Sequence, residues 1–239
     1  MRKEVKKEIC SSALEGGFLA KGFRFVAGVD EAGRGPLAGP VVAAAVSPAC
    51  FESRLDTDDR KLWPLVRDSK TLSASQRERV FAFINGRYIV GIGFASVEAI
   101  DRLNILEAAF LAMKEAIGEW KRRAREHFGE SFADDQTMFL VDGGMEIPHA
   151  AFRQEAIKRG DAIVSSIAAA SIVAKVTRDR EMLELAREYP EYGFERHKGY
   201  GTREHLEALR RLGPVPAHRR SFAPVRRVLR ELRSYGASV

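Results

Sequence analysis

The sequence predicts a layered α/β domain, in which helices cover a β-sheet. Three apolar segments of strand length precede the first long amphipathic helix, and shorter apolar segments then alternate with helices. The 239 residues suffice for one large domain or two small ones, and a hydrophobic content of 45% supports a buried core and excludes a disordered chain. No apolar run approaches the roughly 20 residues that a membrane-spanning helix needs.

The first half of the chain contains three strands in quick succession. They are predicted over residues 23–28, 41–46 and 88–95. The second of them is apolar enough to be buried on both faces of the sheet. After it, a mixed-charge connection over residues 51–70 leads to Ser73-Ala-Ser-Gln76. That tetrapeptide is a capping box, which predicts a helix that runs to the stop signal Asn85-Gly86.

The second half of the chain alternates helices and strands. Apolar residues recur every three or four positions over residues 104–127, which predicts an amphipathic helix. Two short strands follow, over residues 138–141 and 154–157. A helix rich in alanine and serine is predicted over residues 161–186, and its small side chains should allow close packing on the sheet. Thr202 caps a last clear helix, which ends at Gly213-Pro214.

The charge and the cysteine content limit the classes of function that the chain can have. The net charge is +6, and residues 203–233 carry all of it, with nine arginines against three glutamates. Arginine suits phosphate contacts, but a solvated helix face explains the same pattern. Two cysteines give no disulfide framework, and the charged N-terminus lacks the apolar core of a signal peptide. We therefore expect a cytoplasmic protein without a membrane partner, and a monomer by default.

Acidic residues stand at the ends of predicted core elements. Asp30 and Glu31 follow the first strand, Asp142 follows the strand over residues 138–141, and Asp161 opens the buried helix. Because ligands gather at the carboxyl ends of parallel strands, Asp30 and Asp142 could face each other. Clustered carboxylates repel each other unless cations bind, and oxygen ligands favour Mg²⁺ or Mn²⁺. Two such ions can cleave a phosphodiester.

Each acidic residue also has an ordinary structural interpretation. Asp161 after Gly160 suits a helix N-cap, Asp142 before two glycines suits a turn, and Asp30-Glu31 could begin a loop. The combination is stronger than any single residue, because all of them fall at matching ends of core elements. The sequence lacks a Walker A motif, a nucleophile elbow and the common zinc motifs, which excludes several other enzyme classes.

Other polar segments could contact an anionic ligand. Gly33-Arg34-Gly35 follows the first carboxylates, and glycines let a backbone approach a ligand closely. Lys70, in Asp68-Ser69-Lys70, could present an ammonium group to a phosphate, although a polar turn before a helix is an equally simple interpretation. Tyr200 lies between glycines and beside basic residues, a setting typical of stacking on bases or sugars and also of a packed loop tyrosine.

These motifs together resemble those of the ribonuclease HII family. The similar blocks follow the family's order over about residues 24–228, and the first of them is highly specific. They are Gly28-Val-Asp30-Glu31-Ala-Gly33-Arg34-Gly35-Pro36, Asp68-Ser-Lys70, Val141-Asp142-Gly143, Gly160-Asp161, Ala169-Ala-Ser171 to Arg180, His197-Lys-Gly-Tyr200 and His218-Arg-x-Ser221-Phe222.

The resemblance implies a fold and an activity. The fold is RNase H-like, with a five-stranded mixed sheet flanked by helices and a C-terminal helical region. A charged leader over residues 1–22 would precede a catalytic domain over residues 23–195, with a basic helical region over residues 196–239 packed on it. The implied activity is metal-dependent endonucleolytic cleavage of RNA in RNA–DNA hybrids and 5′ to single ribonucleotides in duplex DNA, which leaves 3′-hydroxyl and 5′-phosphate ends.

The resemblance also implies roles for individual residues. The four acidic residues, Asp30, Glu31, Asp142 and Asp161, match the catalytic metal ligands of the family, which take Mn²⁺ or Mg²⁺. Gly33, Arg34 and Gly35 match the element that contacts the ribose 2′-hydroxyl, Tyr200 matches a tyrosine at the RNA–DNA junction, and Lys70 matches a lysine beside the scissile phosphate.

The chain departs from the family pattern in three places. Arg67 stands where an asparagine is expected, the connection over residues 51–67 is long, and residues 1–22 match nothing. Two other hypotheses remain at this point. One is a hybrid nuclease like ribonuclease HIII, although 22 leader residues are too few for the N-terminal domain of that family. The other is a non-catalytic nucleic-acid binder, which would have no need of four carboxylates.

Overall fold

A five-stranded sheet forms the centre of the protein. The computed structural model describes residues 11–48, 62, 65–66 and 72–234. The strands are β1 (Phe25–Ala32), β2 (Val41–Pro48), β3 (Tyr88–Ala95), β4 (Thr137–Asp142) and β5 (Arg153–Ile157). Their order across the sheet is β3-β2-β1-β4-β5. β1 pairs antiparallel with β2 and parallel with β4, so the predicted mixed sheet is confirmed.

Helices surround this sheet. Their bounds are α1 (Ala13–Ala20), α2 (Ala74–Arg87), α3 (Val97–Leu103), α4 (Ile105–Phe128), α5 (Gly160–Ile163), α6 (Ser165–Glu188), α7 (Phe194–His197), α8 (Arg203–Leu212) and α9 (Ala223–Ser234). The predicted capping box begins α2: the Ser73 hydroxyl accepts from the Gln76 N–H, and the Gln76 side chain accepts from the Ser73 N–H. Within the described residues, no helix has the length and apolar character that crossing a bilayer demands.

Two long helices cover opposite faces of the sheet. α4 packs on one face around the buried Trp120, and α6 packs on the other face together with α2. Glycine makes the approach of α6 possible, because a side-chain carbon at Gly28 of β1 would collide with the backbone of Ser166 and Ile167. The close packing expected from the small residues of this helix is therefore confirmed.

The helix predicted over residues 161–186 is two helices. Val164 separates α5 from α6, because its backbone is extended, with φ −115° and ψ 121°. Ser11 forms an isolated parallel bridge with Val164, and the Ser165 N–H donates to the Ser11 carbonyl. The sequence pattern missed this break because the partner segment lies about 150 residues away in the chain.

The N-terminal segment belongs to the core in its described part. α1 buries Phe18 against Val26 and Leu140 of the sheet. The carboxylate of Glu15, also buried, accepts hydrogen bonds from the N–H and the hydroxyl of Ser166, both at 2.9 Å. Residues 13–20, which belong to the expected charged leader over residues 1–22, therefore contribute to the core. Residues 1–10 lie outside the described residues.

The C-terminal helices pack on the loop that follows β1. The Thr202 hydroxyl caps α8 as predicted, by accepting from the His205 N–H. Leu209 of α8 and Val225 of α9 bury Leu37 of that loop between them. The basic C-terminal region is thus fixed beside the carboxyl end of β1. The domain boundary at residue 195 stays a prediction.

Candidate active site

Three carboxylates lie together at one edge of the sheet. Val29 of β1 pairs with Val141 of the parallel β4, so both strands end at the same edge. Asp30 and Glu31 follow Val29, and Asp142 is the last residue of β4. All three line one cleft, as the positions of the strand ends predict. The residues that line it are Asp30, Glu31, Ala32, Gly33, Asp142, Ser171, Lys175, Arg178 and Tyr200.

The ionised forms of two carboxylates in this cleft, Asp30 and Glu31, are destabilised by their surroundings. Burial raises the pKa of Asp30 well above its ordinary value, and the charges of Glu31 and Asp142 raise it further. Hydrogen bonds from Ser171 and from the Glu31 N–H offset only part of this effect. Burial also raises the pKa of Glu31, although Arg34 opposes the shift through an ion pair of 3.3 Å. The cleft therefore disfavours its own negative charge as long as no cation shares it.

Asp161 is joined to the cluster through the backbone. It is the second residue of α5 and is buried, whereas the N-cap of that helix is Arg159, so the N-cap interpretation of Asp161 is wrong. One Asp142 carboxylate oxygen accepts from the Gly160 N–H at 2.7 Å and lies 3.4 Å from the Asp161 nitrogen. The Asp161 side chain is not among those that line the cleft.

The donor set fits a hard divalent cation. The three carboxylates of the cleft offer oxygen ligands, and the raised pKa values of Asp30 and Glu31 show that added positive charge would relieve them. Within the part of the chain that the structure describes, no three Asp, Glu, His or Cys side chains stand in a preformed metal-ligand arrangement.

The glycine loop and Tyr200 form a wall of the same cleft. Gly33 has a φ of +104°, and a side chain there would collide with Arg178, so this position requires glycine. A β-carbon on Gly35 would lie 3.4 Å from the Tyr200 ring, which shows how closely the loop passes the tyrosine. Tyr200 is 46% exposed, which leaves much of its ring open to a ligand.

Two buried arginines hold this loop from behind. Arg219 is fully buried and donates to the carbonyl oxygens of five residues of the loop, namely Gly33, Arg34, Pro36, Gly39 and Pro40. Arg178 donates to the carbonyls of Ala38, Pro40 and Lys198, so it joins the loop to the segment that carries Tyr200. Burial and the neighbouring Arg178 charge lower the pKa of Arg219 to about 9.

This arrangement orients the backbone of the loop. In a trans peptide the carbonyl of one residue and the N–H of the next point in opposite directions, and the described residues contain no cis bond. Because the carbonyls of Gly33 and Arg34 point at Arg219, the N–H groups of Arg34 and Gly35 point away from it. The guanidinium charge at the oxygen end of these peptides also polarises them, which makes their N–H groups better donors.

Sequence reasoning missed four residues of this site. Ser171, Lys175 and Arg178 line the cleft, and Arg219 supports it. Ser171, Lys175 and Arg178 recur at intervals of four and three residues, which places them on one face of a helix, and this spacing was the signal available. Arg219 lies in the motif His218-Arg-x-Ser221-Phe222, but nothing in its spacing indicated a role at this site. Lys70, which the sequence predicted to be at the site, lies outside the described residues, as does Arg67.

Comparison with known proteins identifies the family. The family model described as Ribonuclease HII matches residues 27–225. The chain belongs to the ribonuclease HII family. Proteins with that name include one from Burkholderia thailandensis, 52% identical over 84% of each chain, and one from Acholeplasma laidlawii, 44% identical over 92% of this chain and 97% of the relative. The chain is therefore an endoribonuclease, a ribonuclease H of type 2, and the resemblance seen in its motifs is confirmed.

Solved structures agree with this assignment. The ribonuclease H2 of Pyrococcus horikoshii is 26% identical and matches with a TM-score of 0.60, over 87% of this chain and 98% of the other. A Bst-RNase HIII structure solved with Mn²⁺ has a TM-score of 0.65 at only 17% identity, so it supports the RNase H-like fold alone. The much higher identity to ribonuclease HII proteins excludes the alternative of a ribonuclease HIII-like enzyme. Membership of a nuclease family excludes the alternative of a non-catalytic nucleic-acid binder.

Proposed function

We propose that this enzyme cleaves the RNA strand of RNA–DNA hybrids and the phosphodiester 5′ to single ribonucleotides embedded in duplex DNA. The products would carry a 3′-hydroxyl and a 5′-phosphate. The observation that carries the proposal is the cleft itself, where three carboxylates lie beside a glycine loop and an exposed tyrosine. The carboxylates suit phosphodiester chemistry, and the loop and tyrosine suit recognition of a sugar.

The metal site of the proposal consists of Asp30, Glu31, Asp142 and Asp161. The ions would be Mn²⁺ or Mg²⁺, two per site, and when bound such ions activate a water molecule and stabilise the leaving oxygen. Asp142 also holds the start of α5 through the Gly160 N–H, so it orients the segment that carries Asp161. The ion pair with Arg34 favours the ionised form of Glu31 and so opposes the rise in its pKa that burial causes.

The sugar site of the proposal consists of Gly33, Arg34, Gly35 and Tyr200. The N–H groups of Arg34 and Gly35 would donate to the 2′-hydroxyl, the group by which a protein distinguishes RNA from DNA. The open ring of Tyr200 would stack on the sugar next to the ribonucleotide. Lys70 would contact the scissile phosphate, a role that rests on the motif Asp68-Ser69-Lys70 alone.

The basic C-terminal helices would hold the duplex. Arg219 cannot contribute, because it is buried, and some arginines of these helices pair with glutamates: Arg203 with Glu207 and Arg227 with Glu231. Such exposed pairs are weak and can yield to phosphate. A cytoplasmic location and a monomeric state complete the proposal; the location is supported by the two cysteines, which give no disulfide framework, and the monomer is the default for such a domain.

A substrate panel tests the proposal. Three duplexes of one sequence are incubated with the enzyme in Mg²⁺, in Mn²⁺ and in EDTA: one with a single ribonucleotide, one an RNA–DNA hybrid and one all DNA. We expect cleavage of the first two only in the presence of metal, with a 5′-phosphate on the ribonucleotide fragment. Cleavage that survives EDTA, or cleavage of the all-DNA duplex, would contradict the proposal.

A further inference from the structure

Three histidines are buried beneath the segment that carries Tyr200. His197, His205 and His218 are all nearly inaccessible, and the rings of His197 and His205 stack with centroids 4.5 Å apart. Phe194 packs against each of the three rings. None of these imidazoles has a part in the proposed chemistry, although the burial of a polar, titratable group costs free energy unless it is hydrogen-bonded.

The hydrogen bonds determine the tautomer of each ring. The Val215 N–H donates to Nδ1 of His218 at 3.1 Å, so the proton of a neutral His218 is on Nε2. That Nε2 lies 3.1 Å from Nε2 of His205, which must therefore accept and carry its own proton on Nδ1. Nδ1 of His205 lies 2.9 Å from the Tyr200 carbonyl, to which it donates. One directed chain thus runs from the Val215 N–H to the Tyr200 carbonyl.

His197 completes the support of this segment from the other side. The Gly199 N–H donates to its Nδ1 at 3.3 Å, and its Nε2 donates to the Tyr192 carbonyl at 2.8 Å. The His197 carbonyl in turn accepts from the Tyr200 N–H at 2.9 Å. The backbone on both sides of the exposed tyrosine is therefore tied to buried imidazoles.

The chain requires neutral rings. A protonated His218 would direct an Nδ1 proton at the Val215 N–H, and a protonated His205 would direct an Nε2 proton at the proton of His218. Burial lowers the pKa of His205 to about 4 and that of His218 to about 3, so both rings are neutral near pH 7. A leucine or phenylalanine could fill the same volume, but it could not direct a hydrogen bond to the Tyr200 carbonyl.

We propose that His205, oriented by His218, is a positioning residue for Tyr200: its Nδ1–H bond to the Tyr200 carbonyl fixes the ring for contact with the substrate sugar. This inference rests on the proposed role of Tyr200. The structure supports a positioning role over simple packing because the donors and acceptors of the chain are matched along its whole length, from Val215 to Tyr200.

Matched amide variants separate the two contacts of His205. In His205→Asn the amide stands in for Nδ1 and can still donate to the Tyr200 carbonyl. In His205→Gln it stands in for Nε2 and keeps only the contact with His218. We expect kcat/KM on a single-ribonucleotide duplex to fall about tenfold in His205→Gln, the equivalent of one lost hydrogen bond, and to stay near that of the unaltered enzyme in His205→Asn. The exposed His127→Gln is the control.

A double-mutant cycle distinguishes positioning from general damage. If His205 acts through Tyr200, His205→Gln should have no further effect in a Tyr200→Ala enzyme. An equal loss in both backgrounds would overturn the inference, and so would an unchanged rate in His205→Gln. If Tyr200→Ala alone leaves cleavage unchanged, the proposed function of Tyr200 fails and the inference fails with it, a pattern that differs from both of these outcomes.

A measurement on the unaltered enzyme avoids any folding defect of the variants. Nitrogen-15 correlation spectra of the imidazoles at pH 7 report which ring nitrogen carries the proton. We expect the Nδ1–H tautomer for His205 and the Nε2–H tautomer for His197 and His218. An Nε2–H tautomer at His205 would overturn the proposal, because that ring could not donate to the Tyr200 carbonyl.

Discussion

The buried histidine pair should make the protein lose stability in mild acid. Histidine has an ordinary pKa of 6.5, whereas burial lowers the pKa of His205 to about 4 and that of His218 to about 3. As the pH falls below 6.5 the unfolded chain binds two protons that the folded chain does not, so the free energy of unfolding decreases until the pH reaches the lowered values. Each proton that only the unfolded chain binds lowers the free energy of unfolding by about 1.4 kcal/mol per pH unit. The two histidines together should therefore lower it by about 4 kcal/mol between pH 7 and pH 5.

A variant with two amides isolates this contribution. His205→Asn with His218→Gln removes both titrating groups and keeps polar side chains in their place. Urea denaturation at pH 7 and at pH 5, followed by tryptophan fluorescence, to which the buried Trp120 contributes, gives the free energy of unfolding of each protein. The loss on acidification should be larger in the unaltered protein by about 4 kcal/mol. Asp30 opposes the trend equally in both proteins, since its raised pKa makes acid favourable to the fold. Equal losses would refute the reasoning.

Three other substitutions test separate parts of the structure. Arg219→Met leaves the loop carbonyls without their buried donor, so urea denaturation should show a free energy of unfolding lower by at least about 3 kcal/mol, and cleavage should fall. Unchanged stability would contradict the supporting role of Arg219. Asp30→Asn removes a carboxylate whose pKa is raised. Without divalent cations the Tm of this variant at pH 7 should exceed that of the unaltered protein, and the difference should shrink as the pH falls. A lower Tm at pH 7 would argue against repulsion among the carboxylates of the cleft. Glu15→Ala removes the acceptor of two hydrogen bonds from Ser166, so calorimetry should show a free energy of unfolding lower by about 1–2 kcal/mol. An unchanged value would mean that α1 does not stabilise the start of α6.

The arrangement of the carboxylates was predictable because it follows from local patterns. Asp30 lies near the end of β1 and Asp142 is the last residue of β4, and parallel neighbours bring such ends to one edge of a sheet. The capping box at Ser73 and the cap at Thr202 were predictable for the same reason, since each depends on residues within one turn of helix.

Features that depend on distant contacts were not predictable. Arg219 counted toward a basic surface in the sequence, yet it is buried against carbonyls about 180 residues earlier in the chain. The break at Val164 depends on Ser11, and the core role of α1 depends on a pocket between β1, β4 and α6. Composition and periodicity describe which face of an element is apolar, but they do not identify its partner.

The acidic cleft is the proposed metal-dependent nuclease centre of this enzyme. Its most direct test compares single-turnover cleavage of a single-ribonucleotide duplex in Mn²⁺ by the unaltered enzyme, by Asp30→Asn and by Asp134→Asn. Asp134 is an acidic residue that pairs with Lys121 and Arg125 away from the cleft, so it controls for the loss of a carboxylate. The rate should fall by a factor of about 100 or more in Asp30→Asn and stay unchanged in Asp134→Asn. An Asp30→Asn enzyme that cleaves at the rate of the unaltered enzyme would contradict the account.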